Sequence, residues 1–177
     1  MKNFIILILL IILSGCKTTE SYDVYEISTH KYSTVYQFKN SKSVVFNDSI
    51  TKEWFIGNSL KTPFLPSKED IIQVNKKLDK EYLSYTKEWF SKLNYDSLPD
   101  AEHYRSENKK IIKHAKYIQS QMKYLNKQLT GYKDTLGRKL IVIKIINPDE
   151  DQNDIEKNWI GLISLTYNVE EVIFALD

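Results

Sequence analysis

The single cysteine of this chain, Cys16, is the side chain whose surroundings point most directly to a chemical reaction. An early cation, Lys2, is followed by ten apolar residues at positions 4–13 and by the small pair Ser14 and Gly15. Because a membrane-spanning helix needs about 20 apolar residues, this run is too short to cross a bilayer and fits the apolar part of an export signal. Small residues are typical of the cleavage site of such a signal, and a thiol beside that site can be alkylated by a lipid.

The segment Leu13-Ser14-Gly15-Cys16 resembles the lipobox of bacterial lipoproteins, Leu-small-small-Cys, and matches it at every position. The resemblance implies a diacylglyceryl thioether on Cys16, cleavage between Gly15 and Cys16, and acylation of the amine that cleavage exposes. We therefore expect membrane lipid as a partner. We also expect a location on the cell membrane or the outer membrane, with the protein domain outside the cytoplasm. An ordinary signal peptide with a chance cysteine is the alternative.

The expected organisation has three parts, which are a signal peptide at 1–15, a lipidated cysteine with a polar tether at 16–21, and a single globular domain at 22–177. Removing 15 of the 177 residues leaves 162, which is enough for one domain with a substantial core. Since no cysteine follows Cys16, the domain cannot form an internal disulfide and must be stabilised by packing.

An acidic loop is the first candidate metal site. Asp149, Asp151 and Asn153 stand at the first, third and fifth positions of a possible calcium loop. An EF-hand loop also needs glycine at the sixth position and glutamate at the twelfth, where this chain has Asp154 and Ile160. The pattern therefore favours a solvated acidic loop without a metal.

The histidines and the paired carboxylates also lack the spacing that catalysis or metal binding requires. His30, His103 and His114 are far apart in the sequence, and no second cysteine could join them in a zinc site. Adjacent pairs such as Glu69/Asp70 do not converge on a helix, where residues three or four apart share a face. The sequence predicts no catalytic residue, no metal and no cofactor.

Strand and helix patterns predict an α+β fold with an antiparallel sheet. Strands are expected within 22–47, followed by two long amphipathic helices at 67–93 and from 101–107 to about 126. Apolar residues at helical spacing form one stripe of the first helix: Ile71, Val74, Leu78, Tyr82, Tyr85, Trp89 and Leu93. Four further strands are expected at 129–133, 139–146, 159–167 and 172–176. We expect these four to form an antiparallel meander in a cystatin-like layout.

The junction between the second helix and the following hairpin carries a second resemblance. The segment 127–132 reads Lys-Gln-Leu-Thr-Gly-Tyr, and Asp134, Gly137 and the apolar run 139–143 follow it. This is similar to uncharacterised lipoproteins of the Bacteroidota, in which an Arg-Gln-Tyr-x-Gly segment leads into such a hairpin. Here Lys127 replaces the arginine and Leu129 the tyrosine. The family implies no activity that could be transferred to this chain.

A row of lysines is the main candidate binding surface. Residues 105–144 carry 11 basic and 2 acidic side chains, a net charge of +9. On a helix continued to 127, five lysines lie opposite the apolar stripe: Lys109, Lys113, Lys116, Lys123 and Lys127. This row could face anionic lipid or polysaccharide, could dock an acidic protein, or could simply be a solvated face.

Three Asp-Ser/Thr-apolar triplets are candidate modification sites. They place Ser49, Ser97 and Thr135 in expected loops or at the start of an element. The triplet is similar to the O-glycan acceptor of Bacteroidota envelope proteins. The alternative is that these residues serve as helix caps and turns.

These features favour a lipid-anchored envelope protein with a non-enzymatic binding or structural role. It would bind an envelope protein or glycan through the sheet face or the lysine-bearing helix. Nucleic acid is not expected, since the protein is exported and contains almost no arginine. An immunity or inhibitor lipoprotein that neutralises a toxin or peptidase is the alternative, and a small envelope hydrolase is the second alternative.

Overall fold

The computed structural model describes residues 22–56, 60–93, 99–146, 155–159 and 171–176. The lipobox, Ser97, the acidic loop at 149–154 and the strand predicted at 159–167, apart from Trp159, lie outside these ranges. The strands are β1 (Tyr25–Thr29), β2 (Ser33–Gln37), β3 (Lys42–Phe46), β4 (Thr62–Phe64), β5 (Lys127–Lys133), β6 (Lys139–Ile145) and β7 (Glu171–Ala175). The helices are α1 (Asp48–Thr51), α2 (Lys68–Ser91) and α3 (Ala101–Gln121). A π-helical turn at Lys52–Ile56 follows α1, and a 3₁₀ turn at Met122–Tyr124 follows α3.

Helix α2 forms where the sequence predicts the first long helix. The Ser67 hydroxyl accepts from the Asp70 backbone N–H at 3.2 Å, and the Asp70 carboxylate accepts from the Ser67 N–H at 2.9 Å. These two bonds form a capping box, which satisfies backbone donors that a helix start leaves unpaired. The apolar stripe is buried from Ile71 to Tyr82. The prediction that Trp89 belongs to the buried part of this stripe is wrong. Trp89 is 44% exposed and its neighbour Phe90 is buried instead.

Helix α3 starts at the predicted position but ends at Gln121, five residues before the predicted end. The chain tightens into the 3₁₀ turn and becomes extended at Leu125, so that β5 begins at Lys127. Lys127 therefore belongs to a strand and not to the helical lysine row. Among the described residues, no helix is long and apolar enough to span a membrane.

The seven strands form one mixed sheet in the order β1-β2-β3-β5-β6-β7, with β4 also paired to β5. The prediction of an antiparallel sheet is wrong for one pair, because β3 and β5 run parallel. A parallel pair needs a long crossover, and α1, β4, α2 and α3 supply it here. The expected meander places a further strand between β6 and β7, whereas in the structure β6 pairs directly with β7.

Strand β5 lies in the middle of the sheet and pairs with three strands. β6 pairs along one of its edges, and β3 and β4 pair with different halves of the other edge. β3 pairs with its first half, Lys127 to Leu129, and β4 pairs with its second half, Gly131 to Lys133. Gly131 lies where β4 approaches closely: a Cβ atom there would stand 2.8 Å from the carbonyl oxygen of Phe64. Only glycine avoids this contact.

We expect Gly131→Ala to lower the free energy of unfolding by about 2 kcal/mol, because overpacking against a backbone atom forces strands apart. Urea unfolding would measure this. Gly137→Ala is a matched control for the steric clash of the added Cβ atom. A Cβ at Gly137 meets nothing within 4 Å, so only the φ of +77° strains the backbone of this variant. Equal stability of Gly131→Ala and the wild type would contradict the close approach of β4.

Both faces of the central strands are buried. On one face, α2 and α3 cover a core that includes Leu78, Leu129 and Ile143. On the other face, Phe46 and Val142 pack with Trp159. Side chains alternate between the faces of a strand, so Lys127 lies on the same side of β5 as Leu129 and faces the helix-covered core. The sequence thus places a lysine beside Ser43 on the helix-covered face of the sheet.

Candidate ligand-binding cavity

A cavity of about 740 Å³ opens at one end of the sheet. The turn between β2 and β3, the start of the described chain, α2 and the first residue of β5 form its walls. Its charged lining residues are Asp23, Lys39, Asp79, Lys123 and Lys127. Small-molecule sites commonly measure roughly 300–1,000 Å³, so the cavity has the size of a ligand site.

Lys127 is the unusual residue of this cavity, because only 1% of its surface is exposed. Its Nζ donates a hydrogen bond to the Met122 carbonyl oxygen at 2.8 Å, at the carboxyl end of α3. Burial lowers the pKa of the Lys127 amine from 10.5 to about 8, and the nearby Asp79 charge partly opposes this. The side chain is therefore a mainly protonated but readily deprotonated amine at neutral pH.

The Lys127 ammonium retains hydrogen-bonding capacity that the surrounding protein does not use. Among the described residues, its one hydrogen-bond acceptor is the Met122 carbonyl oxygen. An ammonium group has three N–H donors, so two remain for another acceptor. Buried polar groups are almost always hydrogen-bonded, which makes these two donors a candidate anion site.

Helix α2 contributes two more polar groups to the same wall. Asn75 and Asp79 are four residues apart and therefore share a helix face. Asn75 is 3% exposed, and its Nδ2 donates to the Ile71 carbonyl oxygen at 2.8 Å and to the Ser43 hydroxyl at 3.3 Å. Ser43 is the residue paired with Lys127 across β3 and β5. Asn75 thus links α2 to the strand beside the lysine.

Tyr22 closes one side of the cavity. Its hydroxyl donates to Oδ2 of Asp79 at 2.9 Å, and its ring packs edge-on against Phe38 at 6.1 Å between centroids. Within the part of the chain that the structure describes, neither Oδ1 of Asp79 nor Oδ1 of Asn75 has a hydrogen-bond partner. Two unused acceptors and the two unused donors of Lys127 therefore belong to residues that line the same cavity.

The cavity wall includes a residue that is near Cys16 in the sequence. Tyr22 follows Cys16 by six residues, and six extended residues reach at most about 20 Å. If Cys16 carries lipid, the cavity wall formed by Tyr22 is held within that distance of the bilayer surface.

A separate charged cluster on the other side of the sheet is structural. Glu156 accepts from Lys42 Nζ at 2.8 Å and lies 3.3 Å from His30 Nε2. The hydrogen bond from Lys42, followed by that from His30, lowers the pKa of the Glu156 carboxyl against the opposing effect of burial. Gln128 Nε2 donates to the Ile155 and Asn158 carbonyl oxygens at 2.8 and 2.7 Å. These contacts hold the segment 155–159 against the sheet.

The predicted lysine row is shorter than expected. Lys109, Lys113 and Lys116 are exposed on α3, and Lys123 is exposed in the turn that follows and lines the cavity. The prediction that Lys127 belongs to this row is wrong, because the helix ends before it and the strand directs its side chain into the core. Three lysines on α3 remain as a charged surface.

The other predicted sites are not brought together with the cavity. Ser49 is exposed in α1, Thr135 is exposed in the turn between β5 and β6, and Ser97 lies outside the described residues. Within the described ranges, histidine, cysteine, aspartate and glutamate side chains form no group of three that could hold a metal. Cys16 and the acidic loop are not among those residues.

In comparisons with protein-family models, with curated proteins and with solved structures, nothing matches this chain. The likeness of segment 127–143 to lipoproteins of the Bacteroidota therefore stays a prediction, as does the lipobox.

Sequence reasoning missed the cavity, although one signal was present. Asn75 interrupts the apolar stripe of α2, between Val74 and Leu78, at a position where an apolar residue is expected. A buried asparagine in such a stripe needs polar partners. In the structure Asn75 is hydrogen-bonded to Ser43 and Ile71 and lines the cavity.

Proposed function

We propose that this protein is a lipid-anchored cell-envelope protein that binds a small ligand in the cavity around Lys127, without catalysing a reaction. One observation carries the proposal: Lys127, a buried lysine with two donors unused among the described residues, lines a ligand-sized cavity. Leaving such a group without a partner costs about 1–3 kcal/mol, and a bound ligand would remove that cost.

The proposed anchor is the lipidated Cys16, and the proposed location is the cell membrane or the outer membrane with the domain outside the cytoplasm. The lipobox residues Leu13, Ser14 and Gly15 support this. Two or more acyl chains hold a protein stably on a bilayer, whereas one holds it only marginally. Membrane lipid is thus a partner through Cys16, and nucleic acid is not.

We also infer that residues 22–177 form one domain with a cystatin-like layout. Support comes from α2, which lies across one face of the sheet, and from β3 and β5, which join the N-terminal and C-terminal strands. The parallel pairing of these two strands is a departure from that layout.

The second candidate function is binding of an envelope protein or a glycan at the lysine row. An immunity or inhibitor role, in which the bound protein is a toxin or peptidase, is one form of this function. The specific observation in its favour is the exposure of Lys109, Lys113 and Lys116 along α3. Each cation near an anionic surface contributes about 1 kcal/mol. The structure buries both faces of the central strands, so the sheet face is a weaker candidate than this helix.

Enzymatic use of Lys127 is the third candidate, because a lysine with a lowered pKa in a cavity is common at active sites. A turnover abolished by Lys127→Met but retained in Lys116→Met would establish it and would contradict a purely binding role. The small envelope hydrolase expected as the second alternative belongs to this third candidate, in which the Lys127 amine takes part in the reaction.

Native mass spectrometry of the full-length protein, purified in detergent from its own cells, tests the binding proposal. We expect a bound small molecule on the wild type. Asn40→Trp should lower its occupancy at least about tenfold, because Asn40 is exposed on the cavity lining and an indole there obstructs the opening. The triple variant Lys109→Glu, Lys113→Glu, Lys116→Glu is the matched control and should keep the ligand.

Two results would contradict the proposal. One is a wild-type protein that carries no small molecule. The other is an adduct that survives Asn40→Trp and disappears in the triple glutamate variant, which would place the binding surface on α3.

We further propose O-glycosylation at Ser49 and Thr135, which are both exposed. Intact-mass measurement of the protein from its own cells should show an added glycan mass. That mass should decrease in Thr135→Ala and should not change in Thr34→Ala, which lies within β2. An unmodified mass would show that these residues serve only as caps and turns.

A further inference from the structure

We propose that the ligand of this cavity is a small zwitterion of the amino-acid class, whose carboxylate binds Lys127 and whose ammonium binds Asp79 and Asn75. The inference rests on the proposed binding function and adds the charge pattern of the ligand. It follows from which polar atoms on the cavity wall lack partners within the described part of the protein.

The anion-binding side of the cavity is the Lys127 ammonium. It is buried, so water screens its charge poorly, and its one acceptor within the described part of the chain is a neutral carbonyl oxygen. A carboxylate can accept the two remaining N–H donors. Hydrogen bonds between charged groups are about twice as strong as those between neutral groups, so this contact would contribute much of the affinity.

The cation-binding side is formed by the acceptors on α2. Asp79 Oδ2 is occupied by the Tyr22 hydroxyl, which leaves Oδ1 for a donor. Asn75 donates through Nδ2 to Ile71 and Ser43, which leaves its Oδ1 as a second acceptor one helical turn away. An ammonium has three donors and no acceptor, and it matches two acceptor oxygens of which one is charged.

The presence of both charge signs in the cavity also favours a zwitterion over a plain anion. Three lysines and two aspartates line it, namely Lys39, Lys123, Lys127, Asp23 and Asp79. A multiply charged anion such as phosphate would be placed near both carboxylates. A ligand that carries one charge of each sign can meet the lysine and the aspartate at the same time without net repulsion.

Aromatic side chains complete the lining and determine the choice of probe. Tyr22, Tyr25 and Phe38 contribute rings to the cavity, and Phe38 is buried. An aromatic side chain on the ligand can pack against these rings. L-phenylalanine is therefore the probe, and two analogues isolate its charges: phenethylamine lacks the carboxylate, and 3-phenylpropanoate lacks the ammonium.

Calorimetry with the full-length protein in detergent at pH 7 tests the inference. We expect phenylalanine to bind, and each analogue to bind roughly tenfold or more weakly, because each loses a hydrogen bond between charged groups. This comparison uses the wild-type protein alone and does not depend on the folding of any variant.

Two variants then assign the charges to residues. In Lys127→Met, phenylalanine should bind no better than phenethylamine, since the partner of the carboxylate is gone. In Asp79→Asn, phenylalanine should lose its advantage over 3-phenylpropanoate. Lys116→Met, an exposed change on α3, is the control and should keep the wild-type order of affinities.

Several outcomes would overturn the inference while leaving the proposed function standing. If 3-phenylpropanoate binds as tightly as phenylalanine, the site is a simple anion site. If O-phosphoethanolamine binds and phenylalanine does not, the ligand is a lipid head group and not an amino acid. If none of these probes binds although native mass spectrometry shows a ligand, the charge pattern is wrong. The absence of any native ligand would instead contradict the proposed function itself.

Discussion

We expect replacement of Cys16 with serine to remove lipid from the protein and to stop cleavage before residue 16. A serine hydroxyl cannot form the thioether that precedes processing at a lipobox, so the chain should keep the mass of residues 1–15. Labelling of cells with an alkyne fatty acid should show incorporation into the wild type and at least a roughly hundredfold lower signal in Cys16→Ser. This large loss of label is expected because Cys16 is the only thiol in the chain. The acyl chains should also hold the wild type on membranes, since each acyl methylene contributes about 0.8 kcal/mol to membrane binding.

Thr18→Ser is the matched control, since it changes a hydroxyl-bearing residue two positions beyond the lipobox. It should be labelled and processed like the wild type. A Cys16→Ser protein that is still cleaved at the same bond and still sediments with membranes would contradict the anchor. The protein would then be exported by an ordinary signal peptide.

Replacing Lys127 with methionine changes how stability depends on pH. The amine has a pKa of about 8 in the folded protein, below its ordinary value of 10.5. Between these two values the unfolded chain binds more protons than the folded one, so stability rises as pH increases. From pH 7 to pH 9.5 this contribution amounts to about 2 kcal/mol, which Lys127→Met should lack.

Urea unfolding at both pH values measures this contribution as a difference between the two proteins. Other titrating groups change equally in both and cancel. Lys116→Met is the control, because its exposed amine should leave the pH dependence unchanged. If wild type and Lys127→Met gain the same stability on going to pH 9.5, then Lys127 is not buried as a charged group.

The sequence predicts the individual elements better than their arrangement. Helix α2 and its capping box follow from local signals, which are the spacing of apolar residues and the pair Ser67 and Asp70. The parallel pairing of β3 with β5 depends on contacts between residues about 85 positions apart, such as Ser43 and Lys127. No local pattern encodes such a contact, so the mixed sheet could not be derived from periodicity.

The position of Lys127 shows how a small error in an element boundary changes a functional prediction. Extending α3 by a few residues puts Lys127 on a solvated face, whereas ending it at Gln121 puts the same residue in the core. Helix propensity does not identify the end of α3, because lysine is an ordinary helix-forming residue. The 3₁₀ turn at 122–124 that decides between them has no strong sequence signal.

The titration of Lys127 tests the central claim most directly. In the full-length protein with ¹³C,¹⁵N-labelled lysine, the signal that disappears in Lys127→Met can be followed by NMR as pH is raised. We predict a midpoint near pH 8, and a shift to higher pH when phenylalanine is added, because a bound carboxylate favours the ammonium form. A midpoint near the ordinary value of 10.5, unchanged by the ligand, would contradict it.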